Sequence, residues 1–289
     1  METFSHGGTP VTSEIIHLEE QLTLPDIRFH AKRQAKVQTS DDPNLDNAHI
    51  HGDYELYLHL EGDGAFLVGN RLYPLRRGDV IFTRPNDVHV FVLQNPCHFD
   101  HICVWFSPSC GKNLFAFSHG EDFCPHLTFS ETKREALISL LCRLCDKQTE
   151  MSEQERLSLI LQASVILGGS RNEERPRMNV PPEMQPILDV IDAEFSTLSG
   201  IEELASRFGI STSTLGRMFR KHIHLSPHAF LQARRLSHAK KMLDGGATVT
   251  ESCMNSGFSD CSYFISVFKR KFGETPFAYK KRISAPPQN

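Results

Sequence analysis

The spacing of apolar residues changes its period along the chain. Between about residues 25 and 108 they come in short runs bounded by Gly, Asp, Asn or Pro. Tyr54-Glu55-Leu56-Tyr57-Leu58-His59-Leu60 alternates in part, and Ala65-Phe66-Leu67-Val68 leads through Gly69-Asn70 into Arg71-Leu72-Tyr73-Pro74-Leu75. Gly78-Asp79 opens Val80-Ile81-Phe82-Thr83, and Pro85-Asn86-Asp87 turns into Val88-His89-Val90-Phe91-Val92-Leu93. Short strands joined by such turns predict an antiparallel barrel or sandwich. From Ser130 the period becomes helical. Leu137, Leu140, Leu141 and Leu144 mark one face of a first run, and Leu157, Ile160, Leu161, Ser164 and Val165 one face of a second run from Ser152 to Leu167. Gly168 to Pro182 is polar and ends in two prolines, which predicts a linker. The pattern is helical from Glu183 to Arg282.

Within that last stretch, Ile201 to His222 has the spacing of two helices joined by a tight turn. Ile201, Leu204, Ala205 and Phe208 share one face, Gly209 sits where the chain must turn, and Ser211 can cap a following helix with Leu215, Met218 and Phe219 inward. Thr212, Ser213, Gly216, Arg217 and Arg220 are left outward, on a helix that a major groove can accept. A similar unit recurs with Gly257 in the place of Gly209, 48 residues on. There Val249, Cys253 and Phe258 form the first helix and turn, Ser259-Asp260 caps the second, and Phe264, Val267 and Phe268 point inward. Ser226-Pro227 opens a helix between the units, which Asp244-Gly245-Gly246 closes. Two readers held by a rigid helix fit successive major grooves on one face of double-stranded DNA.

Charge adds to this picture only when it is divided. The formal net charge of -4 speaks against a polyanionic partner, but residues 201–289 hold 14 basic and 6 acidic side chains, leaving 17 and 29 for residues 1–200. A basic C-terminal part of net +8 beside an acidic part of net −12 has the electrostatic footprint of a nucleic-acid binder joined to a sensing or assembly domain. The 289 residues suffice for about two domains. No apolar run approaches the roughly 18 residues that span a membrane, and Met1 to Pro10 lacks an export-signal pattern, so a cytoplasmic protein with no membrane partner is expected. The eight cysteines then read as reduced thiols, Cys142 and Cys145 among them as core packing within an apolar helix.

Gly257-Phe258-Ser259-Asp260-Cys261-Ser262-Tyr263-Phe264, followed by Phe268-Lys269-Arg270-Lys271-Phe272-Gly273-Glu274-Thr275-Pro276, strongly resembles the second helix-turn-helix signature of the AraC/XylS family of bacterial transcription regulators. Ala205 to Lys221 and Ala233-Arg234 to Leu243 resemble that family's first reader and linker helix. The chain departs from the family at Gly216, where a polar side chain is usual, and at Ser252-Cys253, where an apolar residue and Ala are usual. The resemblance implies base reading by Ser213 and Arg217 in the first unit and by Cys261, Ser262 and Ser266 in the second. Arg217 is the strongest base reader on chemistry alone, because a guanidinium can bond both O6 and N7 of guanine. Thr212 and Arg220 are further DNA-facing candidates, and Lys221, Lys269, Arg270 and Lys271 suit phosphates.

In the N-terminal half, His49, His51 and Glu55 fall at i, i+2 and i+6, with Gly62, Gly78-Asp79, Pro85 and His89 downstream. On a regular strand the three would share a face. The arrangement resembles the two cupin motifs, although Pro85 and His89 are four apart where metal cupins usually have five. Three readings stay open for His49, His51, Glu55 and His89: a divalent metal site, a metal-free pocket for a small-molecule effector, or polar groups on a barrel rim. No cofactor is required.

The expected fold class is therefore α+β multidomain. A cupin-like ligand-sensing barrel is expected at 20–110, a helical dimerisation segment at 111–170, a linker at 171–182 and an all-α DNA-binding domain at 183–284, with helix-turn-helix units at about 201–222 and 249–272. The expected function is a DNA-binding transcription regulator controlled by a small molecule and acting as a homodimer with RNA polymerase. Activation and repression both stay open. The alternative is a cupin metalloenzyme with an accessory DNA-binding tail.

Overall fold

A computed structural model of the chain describes residues 27–38, 50–93, 95, 97–110, 114–120, 122–146, 148–170 and 182–284. Its strands are β1 (Phe29–Gln38), β2 (Tyr54–Glu61), β3 (Gly64–Val68), β4 (Arg71–Pro74), β5 (Val80–Thr83), β6 (His89–Leu93), β7 (Cys97–Phe106) and β8 (His126–Leu127). They form two antiparallel sheets, ordered β1-β7-β2-β5-β8 and β4-β3-β6. Gly69, with φ of 61°, turns the β3–β4 hairpin where the Gly-Asn pair predicts one.

The strands alternate only in part because both faces of each sheet are covered. Between the sheets lie Tyr57, Phe66, Tyr73, Ile81, Phe99 and Cys103. The other face of the five-stranded sheet, through Leu56, Leu58, Phe82, Ile102 and Val104, packs on helices α1 (Glu131–Leu144) and α2 (Glu153–Gly168). A strand buried on both faces shows a nearly continuous apolar run. Two expectations need correction here. The sheet does not end near residue 110, since β8 pairs with β5 beyond it and α1 and α2 share the same core. The inward face of α2 is also not the expected one. Leu159, Ile160, Ala163 and Leu167 are buried, Leu157, Leu161 and Ser164 are half-buried, and Val165 is 76% exposed. The run is apolar nearly all round, so its period could not fix which side meets the sheet. The linker expected at 171–182 lies, apart from Pro182, outside the described residues.

The C-terminal half is helical: α3 (Gln185–Glu194), α4 (Ile201–Arg207), α5 (Thr212–Ile223), α6 (Pro227–Asp244), α7 (Val249–Asn255), α8 (Cys261–Phe272) and α9 (Pro276–Ser284). Ser211, Ser226 and Asp260 cap α5, α6 and α8 through their side chains, and Thr248 with Glu251 forms a capping box on α7. The predicted inward residues Leu204, Ala205, Leu215, Phe219, Cys253, Phe258, Phe264, Val267 and Phe268 are buried in one core. That core continues into the outer face of the three-stranded sheet, through Ala65, Leu67, Leu72, Val90 and Val92. The two halves are therefore packed together rather than merely tethered.

Gly209 and Gly257 both make their turns in the left-handed region, with φ of 63° and 81°. A methyl group at Gly209 would meet nothing within 4 Å, whereas one at Gly257 would lie 2.7 Å from the Ser196 carbonyl oxygen. Gly209→Ala is expected to cost about 1–2 kcal/mol, the left-handed penalty alone. Gly257→Ala should cost clearly more, because the backbone of Ser196 must also move. Urea midpoints of the two variants check this ordering, and equal losses would contradict it.

Candidate functional site

The first reader surface follows from helix geometry. Leu215, Phe219 and Ile223, spaced by four, take the inner face of α5. Thr212, Ser213, Arg217, Arg220 and Lys221 are consequently exposed on the outer side. Arg217 lies beside Thr214, with Nη2 donating to Oγ1 at 3.4 Å, and both its burial state and its position leave the guanidinium accessible. On α8 the expected DNA-side residues Ser262, Ser266, Lys269 and Arg270 are exposed, together with Tyr263 and Ile265. Gln232 on α6 donates to the Tyr263 hydroxyl at 2.6 Å, which ties the connecting helix to the second reader.

Two residues expected on the DNA side face elsewhere. Cys261 is half-buried against the core, with its Sγ 2.8 Å from that of Cys253. As the first residue of α8 it points back at α7 and not into a groove. Lys271 lines a cavity between the two halves, where burial lowers its pKa. A helix of this length turns one residue in three or four away from any one surface, so a basic run such as Lys269-Arg270-Lys271 cannot face a single partner.

The second cluster joins three residues from separate places. Glu55 comes from β2, His89 opens β6, and His51 stands in the bend before β2. His49 lies outside the described residues. The strand begins only at Tyr54, so the alternation expected over 49–55 does not operate. His51 reaches Glu55 because the chain bends at Gly52-Asp53. Glu55 Oε2 is 2.7 Å from His51 Nε2 and 3.2 Å from His89 Nε2. Burial pushes the Glu55 carboxyl upward, but the hydrogen bonds from His51 and His89 outweigh it and hold the group well below its ordinary value.

The outer nitrogen of each ring is already engaged. His51 Nδ1 lies 3.1 Å from the Asp53 carbonyl oxygen and His89 Nδ1 lies 2.9 Å from that of Asp87. With Nδ1–H donating, each Nε2 either carries a second proton or offers a lone pair to a cation. Carbonyl-oriented imidazoles beside a carboxylate are the usual donor set of a divalent metal, and the three ligand atoms lie within 4.8 Å of one another.

His51 also forms part of the wall of a cavity of about 670 Å³, whose opposite wall belongs to the C-terminal half. Ile50, His51 and Pro85 face Lys240, Phe272 and Tyr279 across it. This differs from a pocket in the barrel mouth, since the space between the sheets is filled by Tyr57, Phe66, Phe91 and Phe99.

Beside the cavity, the turn before β6 plugs into α6. Asn86 is 3% exposed and has φ of 69°. Its carbonyl accepts from Ser237 Oγ at 2.5 Å, its Oδ1 from Lys240 Nζ at 2.7 Å, and its Nδ2 donates to Asp244 Oδ2 at 2.8 Å. Asp87 pairs with Lys241 at 3.1 Å. The same turn touches the cluster, because Asn86 N donates to the His51 carbonyl at 2.8 Å and Asp87 accepts from His89. His224 after α5 also donates to the Leu93 carbonyl at 2.8 Å. The sequence marks Pro85-Asn86-Asp87 only as a turn. Nothing local points to partners about 150 residues away.

Residues 37–165 match a family model described as an AraC-like ligand binding domain, and residues 204–282 match one described as a helix-turn-helix domain. The HTH-type transcriptional activator RhaS of Salmonella schwarzengrund is 25% identical over 263 residues, covering 83% of this chain and 91% of that protein. RhaS of Salmonella arizonae is 26% identical over 271 residues, covering 88% and 95%. Among solved structures, ToxT from Vibrio cholerae aligns with 90% of this chain and 99% of its own, at 13% identity and a TM-score of 0.35.

Proposed function

The chain belongs to the AraC family of transcription regulators, and from that premise we propose that it activates transcription by reading DNA with α5 and α8 under control of a small molecule held between its halves. The observation that carries this reading is the turn at Asn86, which touches the His51–Glu55–His89 cluster on one side and the helix between the two readers on the other. The relatives matched along most of their length are activators, which favours a regulator over a cupin metalloenzyme.

In this reading Thr212, Ser213 and Arg217 on α5, and Ser262 and Ser266 on α8, meet base edges. Arg220, Lys221, Lys269 and Arg270 meet phosphates. The effector lies in the cavity against His51, and its differential affinity for two arrangements of the halves shifts their populations. A second reading of the cluster, favoured by the engaged Nδ1 atoms, has His51, Glu55 and His89 holding a divalent cation that takes part in effector binding. The partially exposed row Leu157, Leu161 and Val165 on α2, spaced by four, suits a two-fold contact with a second copy. RNA polymerase is the remaining partner, and the cytoplasm the place of action. Among the described residues no helix is long and apolar enough to cross a membrane.

Three measurements test this. Arg217→Ala should relax sequence preference at one base position, whereas Lys269→Ala should weaken binding to all sequences and lower the salt slope by about one. Equal losses on specific and random DNA from both variants would refute that division. Asn86→Ala should separate the unfolding of the two halves and raise the radius of gyration in small-angle scattering. An unchanged single transition would remove the proposed coupling. Sedimentation should give a dimer at micromolar concentration that Val165→Glu dissociates, and a clean wild-type monomer would remove the α2 interface.

A further inference from the structure

Cys253 and Cys261 meet where α7 gives way to α8. Cys253 is fully buried in the last turn of α7, and Cys261 is the half-buried first residue of α8. Their sulfurs are 2.8 Å apart, and Cys253 Sγ is further oriented by the Phe258 carbonyl at 3.6 Å. The chain between them turns through Gly257, which has φ of 81°, and returns at Asp260, so the two helix ends are held face to face. A disulfide needs an S–S separation near 2.05 Å, so closure requires a movement of only about 1 Å.

We propose that Cys253 and Cys261 are a reversible dithiol–disulfide pair that adjusts the second reader helix to the redox state of its surroundings. This rests on the reading of α8 as a DNA reader. The oxidant is a peroxide. The more accessible Cys261 sulfur attacks one peroxide oxygen, the O–O bond breaks, and a sulfenic acid forms with release of water or hydroxide. The Cys253 sulfur then attacks the Cys261 sulfur, the S–O bond breaks, and a second water leaves. In sum two thiols and one hydrogen peroxide give one disulfide and two waters, and a dithiol reductant reverses the bond. Intracellular disulfides of this kind are transient and sensing rather than structural.

The consequence for α8 is mechanical. Asp260 caps its first turn by accepting from Ser262 N at 2.7 Å and Tyr263 N at 3.3 Å, so Cys261, Ser262 and Tyr263 move as one piece. Drawing Cys261 toward α7 withdraws Ser262 from the outer face. A hydrogen bond of ordinary length does not survive a retreat of about 1 Å.

The test uses the full-length protein and DNA selected from a random library by its reduced form. After hydrogen peroxide, peptide mapping should yield a Cys253–Cys261 cross-linked species. Affinity for the selected DNA should fall at least about tenfold, the worth of one lost base contact, and dithiothreitol should restore it. Cys253→Ala should bind the selected DNA like the reduced wild type and keep its affinity in peroxide. The proposal is overturned if peroxide leaves the two cysteines unlinked, or if the cross-link forms and DNA affinity does not change. Failure of the reduced protein to select any sequence would instead refute the reader assignment, while the mapping would still decide the thiol pair.

Discussion

The structure depends on the covering of the outer face of the three-stranded sheet. That face carries Ala65, Leu67, Leu72, Val90 and Val92, and none of it is left to water because the helices after residue 182 pack on it. Burying that much apolar side chain on both partners makes one arrangement of the halves strongly preferred. Everything else that joins the sensing half to the reading half lies around this contact. The cavity is at its border, the Asn86 turn is set into it, and His224 meets β6 beside it.

The polar groups at that border give the contact its specificity. A buried asparagine with three partners on α6 tolerates little displacement, because each hydrogen bond lost leaves an unsatisfied group. Lys240 is buried as well, its pKa lowered by that burial, and lies over the Tyr279 ring while bonding Asn86. Tyr279 in turn donates to Asp244, so the turn, the connecting helix and α9 form one network. A ligand that moves His51 or His89 acts directly on that network, since both residues share hydrogen bonds with the same three-residue turn.

The readers show how differently the two kinds of signal travel from sequence to structure. The inner faces of α5 and α8 were legible because a helix buried on one side repeats its apolar residues every three or four positions, and Leu215, Phe219, Phe264 and Phe268 do so. The outer residues then follow by exclusion. Cys261 did not follow, since a position at the first turn of a helix is oriented by the preceding helix as much as by its own. The same limit applied to α2, where apolar residues on every side left the phase undetermined, and to His51, whose approach to Glu55 depends on a bend before the strand.

By itself the sequence determined what local periodicity and turn chemistry can encode: short strands first, helices after them, left-handed turns at Gly209 and Gly257, the capping residues, and a basic half joined to an acidic one. The repeat of the unit 48 residues on also gave the pairing of the two readers, and the family resemblance added which of their residues would read bases. Only the tertiary structure decided which face of α2 is inward, that His51 of the His51–Glu55–His89 cluster lines a cavity shared with the other half, and that Asn86 is a buried joint. The physical reason is range. Caps and periods act over a few residues, whereas Asn86 and Lys240 are separated by 154 positions and meet only because two apolar surfaces exclude water between them.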